Sequence, residues 1–569
     1  MKLVTLMIKS LHIQAVVTNF VLSPRACLRN IFSSESLSMD EKVDAENYRR
    51  WMRATQLPII NATTGKVFLV ASFLPLPYCL KIEGMIALAM QNRGYRIVIL
   101  TNQACRPWVE AYHKNTSDFK ILILEEYLSF KGLKGLRSRL KLLFSTPTEL
   151  IKRVKAYHYR GANLGQHALA TVSAQASDGR IRVDAALSRR LYKALRRSIL
   201  LTDAAIQIVE EVKPSNVLSV EKGFVGTCEI FCAALAAGVD YVQWCGCHEP
   251  NAVMLKRYNQ GNVREHPFSI SDNVWNEILK MPPLSDDLRQ QVISQFERGY
   301  LQGDWFKYKN LVVDLQQQER EELIRQLNLN PEKKTVVIYS HILNDANLFY
   351  GDDLFEGGYE EWLVETVKAA QTNSAVNWVL KLHPANLSRN SKSGYAGEFG
   401  ELVALKHAFG VIPNFLKIVY PDNKTSPFSF FKITDYGITV RGTVGMELPC
   451  FGIPTLTAGT GRYANKGFTV DSSSADEYLN RIKEIDLIKP MSTREVELGQ
   501  RHAYFSFKSR PARYDAMFTD VYKFPVSHVR HRDIEPVVKS VDLALNHPQM
   551  GKIVDFLCSN ADDYLDISH

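Results

Sequence analysis

Val67-Phe68-Leu69-Val70-Ala71, a helical stretch over 82–92, Gly94 and Arg96-Ile97-Val98-Ile99-Leu100-Thr101 decide how this sequence is read. The first run is wholly apolar, as a strand buried on both faces requires. A loop with Pro75 and Pro77 follows it. Residues 82–92 have helical character and are closed by Gly94 at a C-cap position. The next run is again a strand. Strand, loop, helix, glycine and strand together make a βαβ unit of a parallel sheet.

The same alternation continues outward. Ile121-Leu122-Ile123-Leu124 is a third strand, and a long, mostly helical stretch runs over 136–212. Asn216-Val217-Leu218-Ser219-Val220 is a strand that feeds Glu221-Lys222-Gly223 and a helix over 227–237. Gly238 ends that helix, and Tyr241-Val242-Gln243-Trp244 is one more strand. Residues 285–330, with a charged segment at 316–322, read as a connection. Strand-helix alternation then restarts at Thr335-Val336-Val337-Ile338-Tyr339-Ser340. A helix over 359–371 follows, then strands at 378–382, 416–420, 436–440 and 454–457. The expected division is an N-terminal appendage (1–60), a first α/β lobe (61–295), a helical connection (296–332), a second lobe (333–490) and C-terminal helices (491–569), with 494–504 and 537–546 as candidates. Two Rossmann-like sheets facing a cleft are the expected fold class.

Composition agrees with such a chain. It has 569 residues, 46% hydrophobic and 23% charged, enough for two or three packed domains. A formal charge of +9 is spread along the chain, with local clusters over 131–141 and 189–197. A nucleic-acid binder more often gathers its charge into a stripe, so nucleic acid is not an expected partner. The excess suits phosphorylated substrates or peripheral contact with an anionic membrane. Most of the nine cysteines sit in apolar runs, as reduced core thiols do. Cys245-Gly246-Cys247-His248 has no second ligand pair at zinc spacing, and no metal is expected. The segment over 1–22 is interrupted by Lys2, Lys9 and His12 too early for a membrane span. It reads as an amphipathic helix or an arm on a cytoplasmic protein, at the cytoplasmic face of the inner membrane if it touches one.

Ligands of open α/β sheets bind at the carboxyl ends of strands, so the segments after strands hold the candidate site. Val440-Arg441-Gly442-Thr443-Val444-Gly445-Met446-Glu447 passes from a strand through two glycines into a helix start. Such a turn can cradle a phosphate, with Gly442 and Gly445 allowing close approach and Thr443 capping the helix or bonding an oxygen. Glu447 could accept from ribose hydroxyls. A tight turn with a first-turn acid explains the same spacing. Lys381-Leu382-His383-Pro384-Ala385 puts an imidazole at a strand end, where it can donate to a phosphate. Ser340 and His341 follow another strand and could line the donor pocket, with Asp345 near the sugar. Arg462, in Gly459-Thr460-Gly461-Arg462-Tyr463, could touch sugar or base. In the first lobe Glu221 is the candidate general base, unless it pairs with Lys222 or caps a helix. Glu229 is expected on a helix surface.

At these residues the sequence resembles a known family. Tyr339-Ser340-His341-Ile342-Leu343-Asn344-Asp345, the acidic stretch 351–362, Lys381-Leu382-His383-Pro384-Ala385 and the segments from Gly445-Met446-Glu447 to Gly461-Arg462-Tyr463 look like bacterial capsule polysaccharide biosynthesis glycosyltransferases. His248-Glu249-Pro250 to Trp275, with Lys256-Arg257-Tyr258 and His266-Pro267-Phe268-Ser269, is similar as well. The resemblance covers roughly residues 65–490. It implies a GT-B fold whose C-terminal helices cross back to the first lobe, and catalysis without a bound metal or other cofactor. By resemblance to capsule Kdo transferases, His383 would contact the donor phosphate, Thr443 and its neighbours would hold the same group, and Glu447 would lie near the nucleotide. The donor would be a CMP-, UDP- or GDP-linked sugar and the acceptor a surface glycan, of capsule or lipopolysaccharide, or a lipid-linked one. Ser340, His341, His383, Pro384, Gly442, Thr443, Val444, Gly445 and Glu447 are thus the expected nucleotide site, Asp345 and Arg462 the sugar site, and Glu221 with His383 the catalytic pair. A sugar-nucleotide 2-epimerase on the same fold, with several acids in the first-lobe cleft, and a non-catalytic scaffold in polysaccharide assembly are the alternatives.

Overall fold

The computed structural model describes residues 37–53, 64–114, 118–129, 140–141, 149–175, 180–181, 183–301, 315–343, 348–387, 397–523 and 531–567. The opening apolar run is strand β1 (Val67–Ala71), buried along its whole length. With β2 (Arg96–Thr101), β3 (Lys120–Ile123), β4 (Asn216–Ser219) and β5 (Asp240–Gly246) it forms a parallel array in the order β3-β2-β1-β4-β5. An antiparallel strand β6 (Ala252–Tyr258) extends that edge. The second sheet contains β7 (Thr335–Tyr339), β8 (Asn377–Lys381), β9 (Leu416–Val419), β10 (Tyr436–Thr439) and β11 (Thr455–Thr457). All of its pairings are parallel, in the order β9-β8-β7-β10-β11. Numbered from its own start, each sheet runs 3-2-1-4-5. In each, the chain steps from its first strand to one side and later returns to the other. That reversal opens a crevice at the carboxyl ends of β1 and β4, and again of β7 and β10.

The C-terminal segment returns to the first lobe. Its short strand β12 (Ala512–Arg513) pairs with β6, and β13 (Phe518–Lys523) and β14 (His531–Pro536) form a hairpin. Met517, Phe518, Ile534, Val541 and Leu557 share the core of Phe68, Ile97 and Trp244. The crossing-back is as the resemblance implied. The purely helical character expected of 491–569 is not: the helix Thr493–Tyr504 is present, but the hairpin interrupts, and the later helices are Val541–Leu545 and Pro548–Cys558. The hairpin escaped the sequence reading because 524–530, between its strands, carries no short turn signature.

The N-terminal appendage also needs correction. The Met39–Arg53 helix is part of the first-lobe core, with Tyr48 and Met52 buried. Its charged sequence looked solvent-facing, but Asp44 points inward. Buried Lys81 donates to Asp44 at 2.9 Å, Asp533 at 3.1 Å and the Ile534 carbonyl at 3.1 Å. Three acceptors meet the three protons of one ammonium, which ties the N-terminal helix, the Pro77–Asn92 helix and the hairpin together. The segment 1–22 lies outside the described residues. Among the described residues, no helix is long and apolar enough to cross a membrane.

Glu83, on the same Pro77–Asn92 helix, is 1% exposed, beside Ser72 and Trp244 Nε1 (3.4 Å). Burial raises its carboxyl to about 8. Its folded-state pKa thus exceeds its unfolded one, so the proton favours the fold. Stability contributed by this site is present at acid pH and is lost as pH rises from about 4.5 through about 8. Glu83→Gln removes this loss. In denaturant titrations the variant should match the native chain near pH 4.5 and exceed it at pH 8 by about 2–5 kcal/mol. A difference that does not grow with pH would refute the assignment.

Candidate functional site

The second-lobe crevice is built by the loops after three adjacent strands, β8, β7 and β10. Ser340 and His341 follow β7. The Ser340 hydroxyl donates to Glu401 (3.2 Å) and accepts from the His383 amide (3.0 Å). Asn386 donates to the same Glu401 oxygen at 2.7 Å. Burial raises the Glu401 carboxyl, and hydrogen bonds from Asn386 and Ser340 work against that rise. Ser340 is itself buried. It therefore positions the His383-Pro384 turn from beneath.

His341 does the same for the other side. Its Nε2 accepts from the Val440 amide at 3.1 Å and lies 3.0 Å from the Thr439 hydroxyl. An acceptor Nε2 puts the ring proton on Nδ1. Burial first, then the charges of His383, Arg441 and Arg462, drive its pKa far down, so the ring is neutral. It stacks on Tyr359 at 4.4 Å. Expected to line the donor pocket, His341 stands under the loop as its support.

His383 is partly exposed at the crevice mouth. The Ala385 amide donates to its Nδ1 at 3.2 Å. In the neutral ring that leaves the proton on Nε2, so Nε2–H is the donor. Pro384 beside it is exposed.

In the Gly442–Glu447 loop the structure departs from several expectations. The helix there is one turn, Val444–Glu447, and continues as a 3₁₀ turn over Leu448–Phe451. Its dipole is correspondingly small. Thr443 makes no cap hydrogen bond. Gly445 is explained by packing: a Cβ there would lie 2.0 Å from the Tyr463 hydroxyl oxygen. Tyr463 in turn donates to the Gly442 carbonyl at 2.8 Å. Glu447 is fully buried, and Tyr300 donates to its Oε2. Burial raises it to about 7. It is an interior group beneath the loop, and a direct ribose contact does not fit this position.

Arg441 went unassigned in the sequence, although it directly follows a buried strand. It is buried, bonded to the Thr460 carbonyl (3.2 Å) and Tyr359 (3.2 Å) and paired with Asp353. Arg462 donates to the Arg441 carbonyl at 3.1 Å and lies over the Phe268 ring at 5.5 Å. His266, from the first lobe, is held neutral by burial and then by Arg462, Arg441, Lys222 and Arg510. These cations line the inter-lobe floor, where Arg441 is paired with Asp353 and Arg510 with Asp563. Asp345 lies outside the described residues.

The first-lobe crevice meets it directly. Glu221, after β4, accepts from the Lys222 (2.7 Å) and Gly223 (2.8 Å) amides through Oε1. Lys222 turns inward instead of reaching for that carboxylate. Its Nζ donates to the Val263 carbonyl at 2.6 Å and lies over Tyr258 (4.2 Å), Phe231 and second-lobe Tyr350 (both 4.9 Å). Burial lowers it to about 7. Glu229, expected on a helix surface, is buried, with Ser198 and the Gly226 amide on its two oxygens. The helix that carries it, Cys228–Ala236, packs on the long helix behind, which leaves that face no solvent. In the Cys245–His248 stretch, His248 Nε2 lies 3.1 Å from the Phe507 carbonyl.

Two Rossmann-like lobes, with crevices facing each other and a tail returning to the first, define a GT-B-like α/β protein. No family model matches the chain, and no curated protein gives a significant match. Among solved structures it is similar to the Thermosulfurimonas dismutans KpsC β-Kdo 2,4-transferase (12% identity, 58% of this chain and 88% of that one, TM-score 0.34). The β-Kdo 2,7-transferase of the same organism's KpsC gives 14% identity, 62% and 89% coverage and a TM-score of 0.31. The Neisseria meningitidis UDP-GlcNAc 2-epimerase gives 10%, 77%, 97% and 0.23.

Packing at Gly445 yields a direct test. Gly445→Ala must push the Tyr463 ring aside, and the melting midpoint should fall by the equivalent of about 1–3 kcal/mol. Tyr463→Phe keeps the ring and loses one hydrogen bond, costing about 1 kcal/mol. Equal melting of Gly445→Ala and the native chain would rule out the packing account.

Proposed function

We propose that the chain is a glycosyltransferase that moves a sugar from a nucleotide-sugar to a glycan or lipid-linked acceptor of the cell surface. The observation that carries this reading is the second-lobe crevice. There His383 Nε2–H, held by Ser340 and the Ala385 amide, and the Arg441–Thr443 turn, held by His341, stand at the ends of the two strands that flank β7, above the inter-lobe floor that Arg441 and Arg462 line. Such a site suits the phosphate of an activated sugar.

In this reading the acceptor hydroxyl oxygen attacks the anomeric carbon as the bond from that carbon to the phosphate oxygen breaks. The nucleotide leaves with the electron pair, and His383 donates a hydrogen bond to the developing charge. The hydroxyl proton passes to Glu221, whose orientation the Lys222 and Gly223 amides fix. Arg462 lies close enough to the same floor to meet the sugar or phosphate. An epimerase on the same fold would use several first-lobe cleft acids and turn over its donor without an acceptor.

His383→Ala tests the donor end. Calorimetry with CMP, UDP, GDP and their sugars should find one nucleotide that the native chain binds and the variant binds at least tenfold more weakly, about 1.4 kcal/mol or more. Both chains should melt alike without ligand. Unchanged binding and turnover in the variant would overturn the site. Glu221→Gln should retain nucleotide binding and lose transfer by about a hundredfold or more.

A further inference from the structure

The long helix Ala185–Val212 carries Arg189, Arg190, Lys193, Arg196 and Arg197 on one face. At the helical repeat they fall within an arc of about 120°. Leu187, Leu191, Leu195 and Ser198 occupy the opposite arc and are buried. Arg189, Arg190, Lys193 and Arg197 are exposed, and Arg196 is partly so. No acidic residue occurs from 185 to 202. Among the described residues none of the five cations forms an ion pair; Arg189 donates to its own Ala185 carbonyl at 3.1 Å. Glu125, beside the helix, feels the charge of Arg197.

This arrangement works against the helix itself. Arg189, Lys193 and Arg197 repel one another at four-residue spacing. A merely solvated face would mix both signs. An anionic partner turns the same row into a favourable one.

The position of the row indicates which partner. A helix of 28 residues spans about 42 Å, whereas β4, which follows it, has four residues and spans about 13 Å. From Leu200 to Val212 the helix packs on the sheet, in one cluster with Leu69 and Val217. Leu187 to Ile199 instead share a cluster with Leu164, Leu169 and second-lobe Leu348, Phe349 and Tyr350. Because the helix descends into the start of β4, its basic half stands past the carboxyl edge of the sheet, beside the inter-lobe crevice. The cations lie on the outer surface of one helix, a shape that meets a plane of headgroups. A single polyanion strand is held in a groove with stacking aromatics.

We propose that this face docks on anionic phospholipid headgroups and turns the first-lobe side of the crevice toward the membrane. The idea deepens the transferase reading, since it supplies the side from which a lipid-linked acceptor would enter, but its test does not depend on transfer. The full chain is sedimented with phosphatidylcholine vesicles and with vesicles containing roughly one-third phosphatidylglycerol, at low salt. The native chain should bind only the anionic vesicles. Each basic residue at such a surface is worth about fivefold in partitioning, so R189Q/K193Q/R197Q should lose about a hundredfold. The control K424Q/K483Q/K489Q removes the same charge from the second lobe and should retain binding. Single K193Q, with about a fivefold loss, serves if the triple variant does not fold. Absence of native binding, or equal losses in the two triple variants, would overturn the proposal. Nucleotide binding unchanged in R189Q/K193Q/R197Q separates this failure from failure of the donor site.

Discussion

Asp563 is a carboxylate whose side chain has no exposure, more than seventy residues beyond the second lobe and buried in the first. Lys256 donates to it at 2.8 Å, the Ser271 amide at 2.7 Å, and Arg510 pairs with it at 3.3 Å; both cations are fully buried. Burial works against its charge, but Arg510 and Lys256 outweigh burial and hold the carboxyl below its usual range. None of these charges would be tolerated there alone. The network is complete only when the tail has crossed back and β12 has paired with β6. The second lobe is thus inserted between two parts of one folded unit, and its approach to the first lobe is constrained at both ends.

Within that constraint, the second crevice is made rigid by groups that cannot be its reactive parts. His341 and Ser340 each sit one or two residues past β7, the central strand, and each reaches to the loop of a neighbouring strand. A neutral imidazole suits this work, because a protonated one could not accept the Val440 amide. The partly exposed groups, His383 and the Gly442-Thr443 turn, inherit their geometry from these buried ones. A site built this way keeps its donors aimed before a ligand arrives.

Much of this was legible in the sequence. Both sheets follow from apolar runs of four to six residues separated by helices, and the position of His383 follows from the end of such a run. What could not be read is tertiary. Met39–Arg53 and Glu229 looked like surface because their charges were visible and their buried partners, Lys81 and Ser198, lie far along the chain. β6 pairs with its neighbour β5 and the hairpin strands with each other, while only the short β12 reaches β6 from far along the chain; a strand's register is not a local property. Lys222 sits next to Glu221, yet its aromatic surroundings come from 231, 258 and 350.

The glycines carry the same lesson further. In sequence, Gly442 and Gly445 look like places where a ligand approaches the backbone, and Gly223 and Gly461 stand in similar turns after strands. At Gly223 a Cβ would lie 1.9 Å from the Phe349 ring, and at Gly461 it would lie 2.5 Å from Gly351 Cα. Gly351 and Gly461 are in turn bonded to the first lobe, through the Arg264 carbonyl (2.6 Å) and the His266 amide (2.8 Å). These glycines let the two lobes, and the loops beside them, come together. Gly442 fits the same account: a Cβ there would lie 2.9 Å from the Thr439 hydroxyl and 3.5 Å from the edge of His341, the two groups that shape the turn. Its small size is set first by the fold beneath the loop.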